Sequence, residues 1–340
     1  METLLQQLME AQSLPLLFAI IAIFIYTLAR GADMLVEEAV ALSLRWGVPK
    51  ILIGATIVSI GTTLPEASVS VFAAISGNPE LALGNAVGSI ICDTGLILGL
   101  ATVLSPLPLN KKIVNRQGWI QLSAGILLVL ACIPYGSLNK TFSEGGGLPQ
   151  YMGFVFLVLL IAYIWLTLKW VKTDTSEIAV DDERGNEDPS KMAYTLCNLF
   201  FSIVIVVISS RILIPAVEET AVRLNVPDSI IAATLVAFGT SLPELITCLT
   251  AVTKGHGELA VGNIIGADIL NVLFVAGSAS AVTLGGLSAP PHFFQFLFPA
   301  MLVILIVFRL GITFSKDKLS RPFGFILLGI YATVTIMSYI

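Results

Sequence analysis

Charged residues are scarce in this chain of 340 residues: Asp, Glu, Lys and Arg together make up 12%, whereas apolar residues make up 56%. A soluble globular domain is about 25% charged, and the mean hydropathy here is +0.91. The composition excludes an ordinary soluble domain and predicts an integral membrane protein. No nucleic-acid partner is expected.

Paired cysteines and catalytic motifs are also lacking. His256 and His292 lie near predicted helix ends, and neither a GxGD nor a GxSG motif of an intramembrane protease is present. The protein is therefore not expected to be an enzyme or to carry a cofactor. The cysteines stand singly in apolar stretches, which argues against a disulfide framework or a zinc site. They are Cys92, Cys132, Cys197 and Cys248.

Ten apolar runs are long enough to cross about 30 Å of hydrocarbon as helices. They lie near 14–44, 50–76, 80–104, 117–135, 150–170, 193–224, 227–254, 258–284, 291–311 and 321–339. The loops between these runs are numbered from the N-terminus. Lysine and arginine are concentrated in the odd-numbered loops, and the even-numbered loops hold little beyond Lys140 and Arg223. By the positive-inside rule the odd loops are cytoplasmic, so both termini are expected to be extracytoplasmic.

The predicted helices fall into two halves, residues 14–170 and 193–340, joined by a polar cytoplasmic linker at 171–192. The linker is acidic, but the spacing of its acids does not fit an EF-hand. Five helices per half is an odd number, so the second half enters the membrane from the opposite side. The predicted fold class is all-α integral membrane, with ten transmembrane helices in two inverted five-helix repeats, as is typical of secondary transporters.

An internal sequence repeat supports this division. The segment Gly61-Thr62-Thr63-Leu64-Pro65-Glu66 returns 178 positions later as Gly239-Thr240-Ser241-Leu242-Pro243-Glu244. At the same offset, Gly84-Asn85 and Gly88 match Gly262-Asn263 and Gly266. Further upstream, Arg30 and Glu37-Glu38 match Arg211 and Glu218-Glu219 at an offset of 181. A carboxylate inside a membrane span costs about 3 kcal/mol on insertion scales, so a glutamate placed there twice predicts an ion site.

The residues around each glutamate favour a hard cation. Pro65 lacks an amide hydrogen and is expected to kink its helix and free the carbonyl of Gly61. Thr62 and Glu66 share the same helix face, and the second copy repeats this arrangement. Hydroxyl, carbonyl and carboxylate oxygens suit Ca²⁺ and Na⁺.

A second polar group follows each GNxxG segment, whose glycines are expected to allow close helix packing. The first half has Ser89 and Asp93 on one face, and the second half has Asp268 and Asn271. Asn271 stands at the position equivalent to Asp93. Asp268 is a further candidate for the site, with a contact to a neighbouring helix as the alternative.

Residues 50–100 and 228–280 resemble the alpha-repeats of the cation/Ca²⁺ exchanger superfamily, specifically its prokaryotic Na⁺/Ca²⁺ exchanger branch. Each segment carries GT(T/S)LPE followed by GNxxG. The resemblance implies a secondary antiporter that exchanges Ca²⁺ for Na⁺ by alternating access, as a monomer in a prokaryotic plasma (inner) membrane. It also implies that the first and sixth helices slide across the core.

The resemblance implies a set of cation ligands from both halves. The carboxylates are those of Glu66 and Glu244, with backbone carbonyls from Ser59 and Ala237. The other ligands are the side chains of Thr62, Thr63, Thr240, Ser241, Ser89, Asp93 and Asn271.

Several departures from the family pattern bear on the driving ion. Asp93 and Asn271 reverse the asparagine and aspartate that the family commonly has, Ala267 removes a hydroxyl, and Asp268 adds a carboxylate. Acidic pairs also stand on the first and sixth helices, where the family often has small residues. Ca²⁺ is expected to remain a substrate, with Ca²⁺/H⁺ exchange or K⁺-dependent Na⁺/Ca²⁺ exchange as alternatives. A passive cation channel is the remaining hypothesis, against which inverted repeats with a closed midplane site argue.

Overall fold

The computed structural model describes residues 2–177, 189–224 and 240–338. Helices make up almost all of this part of the chain. They are α1 (Glu2–Glu10), α2 (Leu14–Trp46), α3 (Lys50–Ile75), α4 (Pro79–Leu104), α5 (Lys111–Cys132), α6 (Thr141–Glu144), α7 (Gln150–Glu177), α8 (Pro189–Arg223), α9 (Leu242–Thr253), α10 (Gly257–Val282), α11 (Phe293–Phe314) and α12 (Arg321–Met337). The molecule is an all-helical membrane protein.

Seven of the helices within the described ranges are long and apolar enough to cross a membrane: α2, α3, α4, α7, α8, α10 and α11. Polarity is distributed as in a protein surrounded by lipid. Large apolar side chains such as Phe72 and Phe314 are 66% and 73% exposed, whereas Glu66 and Asp93 are only 1% exposed. The acids that the sequence predicts to lie within the membrane are thus in the interior of the helix bundle.

Two short antiparallel ribbons connect the ends of the helices, and the sequence did not predict them. Strand β1 (Leu107–Pro108) pairs with β4 (Lys318–Leu319), and β2 (Gly146–Leu148) pairs with β3 (Leu287–Ala289). Each ribbon joins one predicted half to the other. They tie loops that are far apart in sequence at the ends of the bundle.

The helix ends differ from the predicted spans in three places. Helix α5 begins at Lys111 rather than 117, because Asn110 caps it by accepting from the Ile113 amide. Helices α7 and α8 run to Glu177 and from Pro189, into the predicted linker; residues 178–188 lie outside the described part.

The third difference concerns the predicted span 227–254. In the described part of the chain its helix, α9, starts at Leu242, and Ser241 is the residue before it. Pro243 therefore occupies the first helical turn, where its missing amide hydrogen costs nothing. Pro65, in contrast, lies inside helix α3, as predicted. The two copies of the motif are thus placed differently within their helices.

Helix α10 passes so close to α3 that two positions have no room for a side chain. A Cβ on Gly262 would overlap the backbone of Ile51, and a Cβ on Gly266 would lie 2.6 Å from the Ala55 carbonyl. Close packing is thereby confirmed for the second GNxxG segment but not for the first, where a Cβ on Gly88 would meet no described atom within 4 Å. It brings the helix that carries Asn271 directly against the helix that carries Glu66.

We expect Gly262→Ala to destabilise the protein by about 1–3 kcal/mol, because the added methyl group forces two backbones apart. Thermal unfolding in detergent measures this. Gly329→Ala is the matched control, because Gly329 is also helical and its Cβ would meet no described atom within 4 Å. Equal melting temperatures for the two variants would contradict the close approach.

Candidate cation-binding site

The described site residues come from helices α3, α4, α9 and α10 and from the two residues before α9, and they converge in the interior. Glu66, Asp93 and Glu244 are each 1% exposed. Their charges lie close enough for Glu66 to be repelled by both Glu244 and Asp93. Three acids that the chain separates by up to 178 positions therefore share one electrostatic environment.

The two halves are joined by a crossed pair of hydrogen bonds. The Thr62 hydroxyl of α3 lies 3.5 Å from Asn263 Oδ1 of α10. The Thr240 hydroxyl lies 3.2 Å from Asn85 Oδ1 of α4. The two threonines are repeat equivalents and so are the two asparagines, so the bonds are related by an approximate two-fold axis. Each half therefore supplies the amide that orients the other half's hydroxyl.

Asp93 and Asn271 lie where this axis would pass. Asn271 Nδ2 is 3.5 Å from Asp93 Oδ2, and the two residues stand at equivalent positions of the repeat. Residues that are related by a two-fold axis and touch each other must lie beside that axis. Asp93 belongs to a wide π-helical turn, Cys92–Ile97, and Asn271 begins another, Asn271–Ala276. Such turns are frequent at functional sites.

Hydroxyl groups surround the carboxylates. Thr63 donates to Glu244 Oε1 at 3.3 Å, and the Ser241 hydroxyl lies beside Asp93. The carbonyl of Ser59 accepts from Thr62 at 3.4 Å. Ser89 is buried on α4, one turn before Asp93. Ala237, the remaining candidate, lies outside the described residues.

Several oxygens in this cluster are buried without a hydrogen-bond donor among the described residues. They are both carboxylate oxygens of Glu66, Oε2 of Glu244, Oδ1 of Asp93, Oδ1 of Asn271 and the Ser89 hydroxyl. Leaving buried acceptors unpaired is costly, and oxygens are the ligands that hard cations take. Within the described ranges no three acidic, histidine or cysteine side chains converge on a single point. A cation here must therefore also use hydroxyl, amide or carbonyl oxygens.

Asp268 faces the neighbouring helix α5. A contact to a neighbouring helix was the alternative to a place among the cation ligands. Its Oδ2 accepts from Gln121 Nε2 at 2.5 Å and from the Thr94 hydroxyl. Gln121 Nε2 also lies 3.2 Å from Thr94. Asp268 is close enough to act electrostatically on Asp93. It is a neighbour of the cluster held by donors of the protein itself.

The sequence does not predict the polar residues that orient the site. Asn85 and Asn263 belong to the GNxxG segments that are expected to serve packing, although their offset of 178 between the halves is a usable signal. Gln117 and Gln121 are both buried on α5. Tyr163 of α7 lies 3.2 Å from Gln117 Oε1 and 3.2 Å from the Ala55 carbonyl. At the offset of 178, no identical residue marks Gln121 or Tyr163.

Comparison with known proteins identifies relatives that extend over the whole chain. An uncharacterised membrane protein of Methanocaldococcus jannaschii is 32% identical over 88% of this chain and 91% of its own length. Inner membrane protein YrbG of Escherichia coli is 30% identical over 94% of this chain and 96% of its own. Sodium/calcium exchanger MaX1 of Methanosarcina acetivorans is 28% identical over 95% of this chain and 99% of its own.

The fold matches that of a sodium-calcium exchanger of known structure, NCX_Mj. A structure of NCX_Mj soaked with Na⁺ aligns with a TM-score of 0.80 at 26% identity, over 95% of this chain and 99% of that one. A second, soaked with Na⁺ and Sr²⁺, aligns with a TM-score of 0.79. The family model for sodium/calcium exchanger proteins matches residues 16–169 and 194–340. The chain is a member of the sodium/calcium exchanger family.

Proposed function

We propose that the protein is a secondary antiporter that exchanges Ca²⁺ for Na⁺ by alternating access. The observation that carries the proposal is the buried cluster of oxygens without donors, contributed by carboxylate, amide and hydroxyl groups of both halves. A membrane interior contains no water to satisfy such groups, so a transported cation is the natural partner. MaX1 and NCX_Mj, which carry the name of this activity, resemble the chain over almost its full length.

In this proposal the cations are bound by the residue set that the sequence implied. Glu66, Glu244 and Asp93 neutralise the cation charge, and Asn271 contributes its unpaired Oδ1. Oxygens of Thr62, Thr63, Thr240, Ser241, Ser89 and the backbone of Ser59 and Ala237 complete the coordination. Asp268 stays outside this set because Gln121 and Thr94 already occupy one of its oxygens.

The proposed architecture is ten membrane helices in two inverted repeats, 14–170 and 193–340, with both termini extracytoplasmic. The crossed bonds Thr62–Asn263 and Thr240–Asn85 support a two-fold relation between the halves. A match of one family model to 16–169 and to 194–340 supports the same division. An inverted pair gives a transporter two equivalent ways to open, one towards each side.

A second candidate is exchange that uses H⁺ or K⁺ in addition to or instead of Na⁺. The observation that favours it is Asp268, a fourth buried carboxylate within electrostatic reach of Asp93. One of its oxygens, Oδ1, has no donor among the described residues. A passive channel is less well supported, because the cluster is enclosed by four helices.

The driving ion is tested by Ca²⁺ uptake into proteoliposomes under separate Na⁺, K⁺ and pH gradients. Glu66, Glu244 and Asp93 carry three negative charges when ionised, enough for three Na⁺ or for one Ca²⁺ with a charge to spare. We therefore expect Na⁺ to drive Ca²⁺ uptake and the exchange to move net charge. Uptake that ignores Na⁺ and follows pH would support the proton-coupled alternative, and uptake without any counter-ion gradient would indicate a channel.

We expect Glu66→Gln and Glu244→Gln each to lower Na⁺-driven Ca²⁺ uptake at least tenfold while the protein stays folded. Each change removes a charge that no water replaces at this depth. Glu80→Gln is the matched control, because the Glu80 side chain is 53% exposed at the start of α4. Uptake close to wild type in either site variant, at normal expression, would disprove the two-glutamate site.

The reversed pair gives a further test. We expect Asp93→Asn to weaken or uncouple transport, because it removes a charge that faces the cations. Adding Asn271→Asp should restore part of the activity, since the two side chains touch and the charge returns to the same cluster. Ca²⁺ uptake and melting temperature are measured for both single variants and the double variant. If Asp93 is only structural, Asp93→Asn costs stability alone and the second change rescues nothing.

A further inference from the structure

Helices α2 and α8 are bonded to each other as a pair. They pack along each other over much of their length. The hydroxyls of Thr27 and Ser209 lie 3.0 Å apart, and Asn198 Nδ2 donates to Glu38 Oε1 at 2.8 Å. Two polar links at different heights, together with the packing, make this pair a unit that would move together.

Charged side chains link the pair to the other helices. Lys254, just after α9, lies 2.7 Å from Glu37 and 3.1 Å from Asp33 of α2. Burial opposes the charge of Lys254, but its hydrogen bonds to Glu37 and Asp33 outweigh burial and raise its pKa. On α8, Arg211 donates through Nη2 to the carbonyl of Pro65 at 3.1 Å.

Arg211 is an unusual residue at this depth. It stands twelve residues before Arg223, the last residue of α8, which places it about 18 Å from that helix end. An arginine within a membrane span costs about 3 kcal/mol, and those that are kept pair with carbonyls or acids on transport pathways. The carbonyl it binds belongs to the residue just before Glu66, and its charge attracts that glutamate.

The repeat equivalent of Arg211 behaves differently. Arg30 stands on α2 at the matching position, yet its side chain is 61% exposed and 3.8 Å from Asp33 of the same helix. The repeat equivalent of Pro65 is Pro243, which directly precedes Glu244. The sequence therefore supplies both arginines and both prolines, whereas the structure shows the contact on α8 and a different partner for Arg30.

We propose that Arg211 and Arg30 are alternate positioning residues for the two access states. Arg211 holds α8 to the Pro65 carbonyl in the state of this structure. In the opposite-facing state, Arg211 is released and Arg30 holds α2 to the Pro243 carbonyl. Inverted repeats exchange conformations between their two access states, so a contact made by one repeat in one state is made by the other repeat in the other. The inference rests on the proposed antiport.

The position of each contact links it to the ion site. A contact that exists in one state shifts the equilibrium between states by its own free energy. Here the contact is made directly beside a site glutamate, so the positive charge of the arginine and that of a bound cation repel each other. Cation binding therefore weakens the hold of Arg211 on α3 and favours its release.

The test follows the position of α2 relative to α3 by pulsed electron spin resonance. Spin labels are attached to Leu44→Cys and Ile75→Cys, which lie near opposite ends of the bundle and are 72% and 63% exposed. Cys197, the exposed native cysteine, is changed to Ser. Movement of the α2–α8 pair along the bundle changes this distance, and the spectrum gives the fraction of molecules at each distance.

We expect Arg211→Gln to lower, about tenfold relative to the other population, the population that has the distance seen in this structure. This is the size expected for loss of a charge-assisted hydrogen bond. Adding Arg30→Gln to that variant should return the ratio towards wild type, because it removes the competing contact. Arg211→Lys should keep part of the wild-type hold on α3, so its ratio should lie between those of wild type and Arg211→Gln. Arg223→Gln is the matched control on α8. Arg223 also bonds to backbone carbonyls, but these belong to Gln12 and Glu10 and not to α3.

Two results would overturn the inference: an unchanged ratio in Arg211→Gln, or a double variant that is no closer to wild type than Arg211→Gln alone. A purely structural role for the arginines predicts additive losses of stability and no such reversal. The distance measurement needs no transport. Wild-type protein that takes up no Ca²⁺ under any ion gradient would count against the antiport itself, whereas normal uptake with unchanged distances would count against the two arginines alone.

Discussion

Carboxylates buried in a membrane protein must find partners, and this constraint organises the structure. The protein meets it in two ways. Asp268 receives hydrogen bonds from Gln121 and Thr94 on its Oδ2, so this oxygen finds its partners within the protein. Glu66 has no donor on either oxygen among the described residues, and its neighbours Glu244 and Asp93 repel it. A cluster that carries such an energetic penalty is kept where a cation removes it.

The crossed bonds explain how so many acceptors stay close together. Each threonine hydroxyl is oriented by an asparagine of the other half, so neither half is complete alone. The symmetry is broken at the axis itself, where one side chain is an aspartate and the other an asparagine that donates to it. Two aspartates in contact would add a second negative charge that repels the first, and two asparagines would leave this point without a negative charge. The mixed pair supplies a charge and a donor at the same point.

Much of this arrangement could be predicted from the sequence, because hydrophobic length and an internal repeat are strong signals. Seven of the predicted spans, the two buried glutamates and the equivalence of Asp93 and Asn271 all follow from them. The start of α9 at Leu242 could not be predicted, since a proline is compatible both with a kink inside a helix and with a first turn. The direction of Asp268 also depended on Gln121, which lies 147 positions away and has no repeat partner to mark it.

The same contacts distinguish a core that is linked across the halves from the α2–α8 pair. Helices α3, α4, α9 and α10 are bound across the halves by side chains at the candidate site, and α10 packs on α3 so closely that Gly262 and Gly266 leave no room for a Cβ. Moving these helices apart would break the site. The α2–α8 pair takes no part in the crossed bonds, and its polar links end on the Pro65 carbonyl and on Lys254 near the surface. Displacing the pair would break these links and leave the crossed bonds of the core intact. The proposed antiport, in which the protein moves around an intact ion site, needs this difference between the pair and the core.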